Sequence, residues 1–183
     1  MKVGHRVAKA AGKMMSGVRA GDEKLAIQKE HEPRTLHVTT TAFADGGPIP
    51  ERYAGTDGST PYLAWSGVPA ETKELVLLCE DPDAPMPKPF VHWVVYGLSP
   101  EVTSVGGPAA TGGLTEGKNS TGKIGYMGPK PPPGHGVHHY HFELFALDAP
   151  LELGPGADRD AVVRAMHGHV RASGEVVGTF EAI

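Results

Sequence analysis

ELVLLCEDPDAPMPKPFVHWVVYGL, residues 74–98, is the stretch whose reading decides the fold. Its two ends, ELVLLC and VHWVVYGL, are apolar at nearly every position, the pattern of central strands covered on both faces. Pro82, Pro85, Pro87 and Pro89 lie between them and bias both their own backbone and that of the residues before them towards extended conformations. Two buried strands joined by a stiff loop are therefore expected. Cys79, inside the first run, reads as a small buried hydrophobe; as the single cysteine it forms neither an intramolecular disulfide nor a CxxC pair.

Working outward, TLHVTTTAF (35–43), HHYHFELFAL (138–147) and EVVGTFEAI (175–183) are further β-like runs bounded by glycine and proline clusters. One helix is expected near the C-terminus, with Asp158 as N-cap, Val162, Met166 and Val170 along one face and Gly174 as the stop. With one or two helices the chain cannot build a regular βαβ repeat. The expected architecture is mainly β, an antiparallel β-sandwich with one or two peripheral helices.

The bulk composition narrows the function classes. A chain of 183 residues fits one domain, and its net charge of −4, without any block of like charges, gives no nucleic-acid footprint. There is no apolar run long enough to cross a membrane and no secretory h-region at the N-terminus, so a cytoplasmic protein without stable membrane insertion is expected. Residues 1–32 stand apart as a basic extension. No acidic residue precedes Asp22, and Lys2, Arg6, Lys9, Lys13 and Arg19 alternate with Val7, Ala11, Met14, Met15 and Val18 at helical spacing. An amphipathic helix packed on its own domain or on a partner subunit, a frayed tail and a membrane-surface segment all fit that pattern. Residues 33–183 form the expected domain.

Two constellations could carry chemistry. In DPDAP (81–85) the prolines hold Asp81 and Asp83 on a fixed path, and the Asp side chains suit either turn capping or a positioned carboxylate. His92 begins VHWVVYGL, where strict alternation groups His92 with Val94 and Tyr96, opposite Val91, Trp93 and Val95. A buried neutral imidazole needs a partner, and Asp81 is the nearest candidate. The second constellation is the glycine- and proline-rich loop 122–137 feeding HHYHFELFAL. Alternation there puts His138, Tyr140, Phe142, Leu144 and Ala146 on one face, with His139, His141, Glu143, Phe145 and Leu147 on the other.

Clustered His135, His138, His139 and His141 raise the possibility of zinc, but alternation turns His138 away from His139 and His141 and no cysteine lies nearby, so no metal is expected. Hydrolysis would need Ser120 or Ser104 brought to His92, and the chain has no GxSxG elbow. The remaining reading is a compact polar cluster of Asp81, His92, His138 and Tyr140 in apolar surroundings, suited to holding an oxyanion without turnover.

DPDAP at 81–85, HW at 92–93 and GxxxYxGPxPPxGxxxHxYxF from Gly122 to Phe142 closely resemble the two signature regions of the phosphatidylethanolamine-binding proteins, also called Raf-kinase-inhibitor-like proteins, in their bacterial branch. The resemblance covers the chain from about residue 34 onward. It implies a two-sheet sandwich with a small anion pocket lined by Asp81, His92, His138 and Tyr140, walled by Gly128 and Pro129, with Asp83 in a structural role. It also implies a phosphate-type ligand such as a phosphoethanolamine or phospholipid head group, no cofactor and no catalysis. The alternative it carries is inhibition of a kinase or other enzyme through the same pocket. A homodimer is implied as well. Two departures stand out: His139 occupies a position where the family often has Arg, and the chain ends soon after its last expected strand, which suggests no further C-terminal helix and a more open site.

Overall fold

The computed structural model of the chain describes residues 2–107 and 114–183, except for the side chains of residues 2, 3 and 5. Eight strands are described: β1 (His37–Thr40), β2 (Leu63–Ser66), β3 (Glu74–Asp81), β4 (Phe90–Leu98), β5 (Ser104–Val105), β6 (Thr115–Glu116), β7 (His138–Leu147) and β8 (Val170–Phe180). They form a three-stranded sheet in the order β1-β2-β5 and a five-stranded sheet in the order β6-β4-β3-β7-β8, every pairing antiparallel. The sandwich read from the sequence is the observed fold.

β3 lies at the centre of the larger sheet, and all eight of its residues are buried, because each of its faces has its own core. Between the sheets, Val38, Leu63 and Trp65 of the small sheet meet Leu77, Trp93 and Phe142 of the large one. On the outer face, Val76, Leu78, Val94 and Phe145 are covered by Leu25, Ile27, Val162 and Met166. Full burial of a side chain of this size stabilises by roughly 1.5–3 kcal/mol, so both layers hold the large sheet in place.

The outer cover comes from α2 (Ala26–Lys29) and α3 (Arg159–Met166). Asp158 caps α3, its side chain accepting from Ala161 N at 2.8 Å. The helix is shorter than its apolar spacing predicts. It stops at Met166, and Gly168, with φ +82°, turns the chain so that Val170 opens β8 instead of extending the helix. Gly174 is not a stop signal either. It sits within β8 because a Cβ there would run into the Leu36 carbonyl.

At the N-terminus, α1 (Lys2–Met14) is the helix expected from the basic apolar spacing. Residues 20–29, grouped with the extension by composition, belong physically to the domain: Leu25, Ala26 and Ile27 are buried in the outer core, and Ala20 N and Gly21 N donate to the carbonyls of Ala84 and Pro82.

β4 does not alternate strictly. Cys79 pairs with Trp93 and Glu80 with Val91, so His92 is an extra residue in the ladder; a second irregularity lies between Leu75 and Leu77 of β3, opposite Tyr96 and Gly97. Val91 accordingly joins Val94 and Tyr96 in the outer core, where strict alternation would have placed it with Trp93 and Val95. His92 faces the other way, against Tyr140 of the inter-sheet core.

Candidate functional site

Asp81 ends β3, His92 occupies the β4 irregularity, and His138 and Tyr140 open β7 on its inward face. The antiparallel pairing of β3 with both β4 and β7 brings these three strand ends together. The ring centroids of His92 and Tyr140 are 5.0 Å apart in an edge arrangement, and Phe90 packs on His92 at 4.8 Å. Asp81 Oδ2 meets His138 Nδ1 at 2.7 Å, both side chains almost wholly buried, and Asp81 Oδ1 accepts from Asp83 N at 2.8 Å.

The His138 contact continues into a relay. His138 Nε2 lies 2.7 Å from Nδ1 of His135, whose Nε2 donates to the carbonyl of Met15 at 2.7 Å and faces that of Val18 at 3.2 Å. Carbonyls only accept, so His135 Nε2 carries hydrogen. The His135–His138 and His138–Asp81 bonds need one hydrogen each. The chain of contacts thus links Asp81 through both imidazoles to the backbone of the N-terminal segment. His135 is a residue that sequence reading considered only for zinc; its flanking Gly134 and Gly136 signal a turn but not a partner 120 residues away.

His92 is held differently. Its Nδ1–H donates to the Met127 carbonyl at 2.6 Å, which fixes the neutral tautomer with Nε2 unprotonated. Burial pushes its pKa below the ordinary histidine value; the Met127 and Gly128 carbonyls and Asp81 act in the opposite sense without restoring it. The Tyr140 hydroxyl is buried and has no hydrogen-bond partner among the described residues, and burial with the nearby Asp81 pushes its pKa far up. It is thus an O–H donor.

Gly128 and Pro129 follow Met127, whose carbonyl holds His92. Gly128 N donates to Gly55 O at 3.0 Å and Gly55 N to Pro129 O at 2.8 Å, while a Cβ on Gly128 would run into the Tyr53 carbonyl. Only glycine lets the loop lie this close. Asp83 is a tie beam: Oδ2 accepts from both N and Nδ1 of His139, at 2.9 and 2.7 Å, and Oδ1 from Arg19 at 3.0 Å. Burial would raise its pKa, but the bonds to His139 and the charges of His139 and Arg19 bring it below the usual carboxylate value. Through these bonds His139 ties the loop after β3 to the start of β7.

The other sequence candidates are not brought to this cluster. His141 pairs with Glu175 at 2.8 Å and His139 with Asp83, and among the described residues no three such side chains are placed to share a metal ion. Ser120 Oγ accepts from Val91 N, and Ser104 lies in β5 of the small sheet; among the described residues neither bonds to His92. His169, beyond the end of α3, bonds to Asp148.

The N-terminal segment reaches the same place. Beyond the Met15 and Val18 carbonyls on His135, Gly12 of α1 packs on Pro133 so closely that a Cβ would meet the Pro133 carbonyl. It lies across the rim formed by the two signature loops.

The fold is a two-sheet antiparallel β-sandwich with an inward Asp–His–His–Tyr cluster at its strand ends, and comparison with known proteins gives the family. The family described as phosphatidylethanolamine-binding protein matches residues 39–181, and the chain belongs to it. A UPF0098 protein of Methanothermobacter thermautotrophicus is 43% identical over 152 residues, covering 79% of this chain and 98% of that protein. A relative from Mycobacterium tuberculosis, provisionally named a lipoprotein, is 39% identical over 147 residues, 80% of this chain and 72% of its own. Among solved structures, a phosphatidylethanolamine-binding protein homologue of Chlamydia trachomatis superposes with a TM-score of 0.73 at 38% identity, covering 82% of this chain and 99% of that one.

Proposed function

We propose that the protein is a non-catalytic binding protein that holds a small phosphate-type anion, such as a phosphoethanolamine or phospholipid head group, against Asp81, His92, His138 and Tyr140, with Gly128 and Pro129 as its wall. The observation that carries this reading is the Tyr140 hydroxyl, a buried donor without a partner among the described residues. Leaving such a group unpaired costs about 1–3 kcal/mol, which an accepting anion would offset. With His92 Nδ1 committed to Met127, Nε2 is the ring nitrogen left for a ligand, and taking up a proton there turns it into a charged donor. Both oxygens of Asp81 are already engaged, by His138 and by Asp83 N, which leaves the Tyr140 hydroxyl and His92 Nε2 as the groups that face a ligand.

Among the described residues no helix is long and apolar enough to cross a membrane. A cytoplasmic location and a homodimer are parts of the proposal, and cell fractionation and light scattering test them. The central test is calorimetric titration with phosphoethanolamine at pH 6 and pH 8. Binding that weakens at the higher pH and is lost in His92→Ala supports the reading. No heat at either pH, or an affinity untouched by His92→Ala, overturns it. A stoichiometric protein partner captured from native lysate and released by phosphate would instead favour inhibition of a kinase or other enzyme through the same pocket.

A further inference from the structure

The outer face of the large sheet holds a cleft of about 500 Å³ that the anion cluster does not use. Glu80 and Asp81 are neighbours on β3, and alternation sends them to opposite faces: Asp81 to the inward cluster, Glu80 to the floor of this cleft. Its volume lies in the range of pockets that enclose a drug-sized molecule.

The cleft has its floor on β3 and its walls from four further segments. Met86, Pro87 and Pro89 of the loop between β3 and β4 form one side. Lys118, Asn119 and Ser120 form another, fixed to β4 by Ser120 N on Val91 O at 2.9 Å and by Val91 N on Ser120 Oγ at 2.8 Å, and to the loop before α3 by Lys118 N on Ala157 O at 3.0 Å. The start of α3 and the turn leading into α2 close the ends.

Its electrostatics are one-sided. Five cations line it, Lys24, Lys29, Lys88, Lys118 and Arg159, against three carboxylates, Glu80, Asp158 and Asp160. All three carboxylates are already engaged. Glu80 takes Arg159 Nε at 2.9 Å, Asp158 caps α3, and Asp160 takes Lys88 Nζ at 2.7 Å. Lys24 Nζ donates to the Pro87 carbonyl, which leaves its charge unneutralised. Lys29 and Lys118 have no side-chain partner among the described residues. Apolar walls with ammonium groups arriving from separate segments suit a ligand with an acidic head and an apolar body.

We propose that this cleft is a second ligand site, distinct from the inward anion cluster, for an amphiphilic organic anion whose head is held by Lys29 and Lys118 and whose body lies on Met86, Pro87 and Pro89. The proposal does not rest on the function assigned to the inward cluster.

The test uses the full chain with 1-naphthyl phosphate as probe, in buffer containing saturating inorganic phosphate, followed by amide chemical-shift mapping and calorimetry. Shifts are expected at Lys24, Lys118–Ser120 and Arg159. Lys29→Glu combined with Lys118→Glu should weaken binding at least tenfold, and His92→Ala should leave it unchanged. Both lysines are surface residues, and a circular dichroism melt confirms that the variants fold. The proposal is overturned by shifts confined to His92, Gly128 and Tyr140, by an affinity indifferent to the double charge reversal, by equal binding of uncharged 1-naphthol, or by no binding at millimolar probe.

Discussion

Asp81 Oδ2 and His138 Nδ1 sit 2.7 Å apart, and neither side chain has appreciable contact with water. The pair ties the end of β3 to the start of β7 and therefore joins the two signature regions. Truncating one partner strands the other as a buried, uncompensated group, which typically costs 3–5 kcal/mol. His138→Ala should lower the unfolding free energy by about that amount in urea titrations. In a double-mutant cycle with Asp81→Asn the losses should fall well short of adding. Additive losses would show that the two side chains act independently.

Tyr140→Phe separates binding from folding. The hydroxyl has no partner to lose among the described residues, so the variant should match or slightly exceed the parent in thermal stability. Its affinity for phosphoethanolamine should fall about tenfold, the equivalent of one hydrogen bond to an anion. A melting temperature several degrees lower with unchanged affinity would mean that the hydroxyl has a structural partner instead.

His92 makes stability depend on pH. Its pKa is depressed by burial in the folded protein, so below the ordinary histidine value the unfolded chain binds more protons, and stability falls on acidification. His92→Asn should flatten the loss between about pH 6.5 and pH 5, seen as a smaller change in urea midpoint. Ligand works in the opposite sense: an anion at Nε2 favours the charged ring, so phosphoethanolamine should protect the parent most in that acidic window.

Glu143 lies on the outer face of β7, fully buried, with Oε2 accepting from Ile27 N at 3.1 Å. Burial and the neighbouring charges of Glu80 and Glu175 push its pKa well above the ordinary value, and its Oε1 has no hydrogen-bond partner among the described residues. A carboxyl raised in the folded state is matched to the unfolded chain at low pH. It then loses stability for the protein as pH rises above about 4.5, because only the unfolded state ionises. Glu143→Gln preserves the shape and does not ionise, so it should stabilise at pH 7 and leave pH 4 nearly unchanged in paired thermal melts.

Gly12→Val should lift α1 from the Pro133 carbonyl and break the His135–Met15 hydrogen bond without disturbing the domain, whose packed residues begin at Ala20. Amide exchange should accelerate from residue 4 to residue 18, and stopped-flow association of phosphoethanolamine should quicken. Unchanged exchange in that segment would show that the helix does not depend on this contact.

Much of the site was legible because β7 is regular. A period of two along HHYHFELFAL places His138 and Tyr140 with Phe142 and Leu144, and the ladder with β8 preserves that phase through Ala146. Two features were not legible, for a shared reason. The apolar i, i+4, i+8 series at 162–170 looks like one long helix, yet Gly168 adopts a positive φ and releases Val170 into a strand. The partner of His135 lies in a segment whose docking depends on a glycine fitting under a carbonyl. Neither a glycine's positive φ nor a glycine fitted under a carbonyl leaves a periodic trace.

The extra residue at His92 makes the site a matter of parity. Reading back from Trp93, an uninterrupted ladder would turn His92 towards α2 and α3 and Val91 towards the small sheet. One unpaired position reverses both assignments. No substitution can imitate that change, since replacing side chains leaves the count intact. Deleting a single residue between Phe90 and Trp93 would undo it, and two chains with the same motif letters can therefore differ in whether they own a site at all.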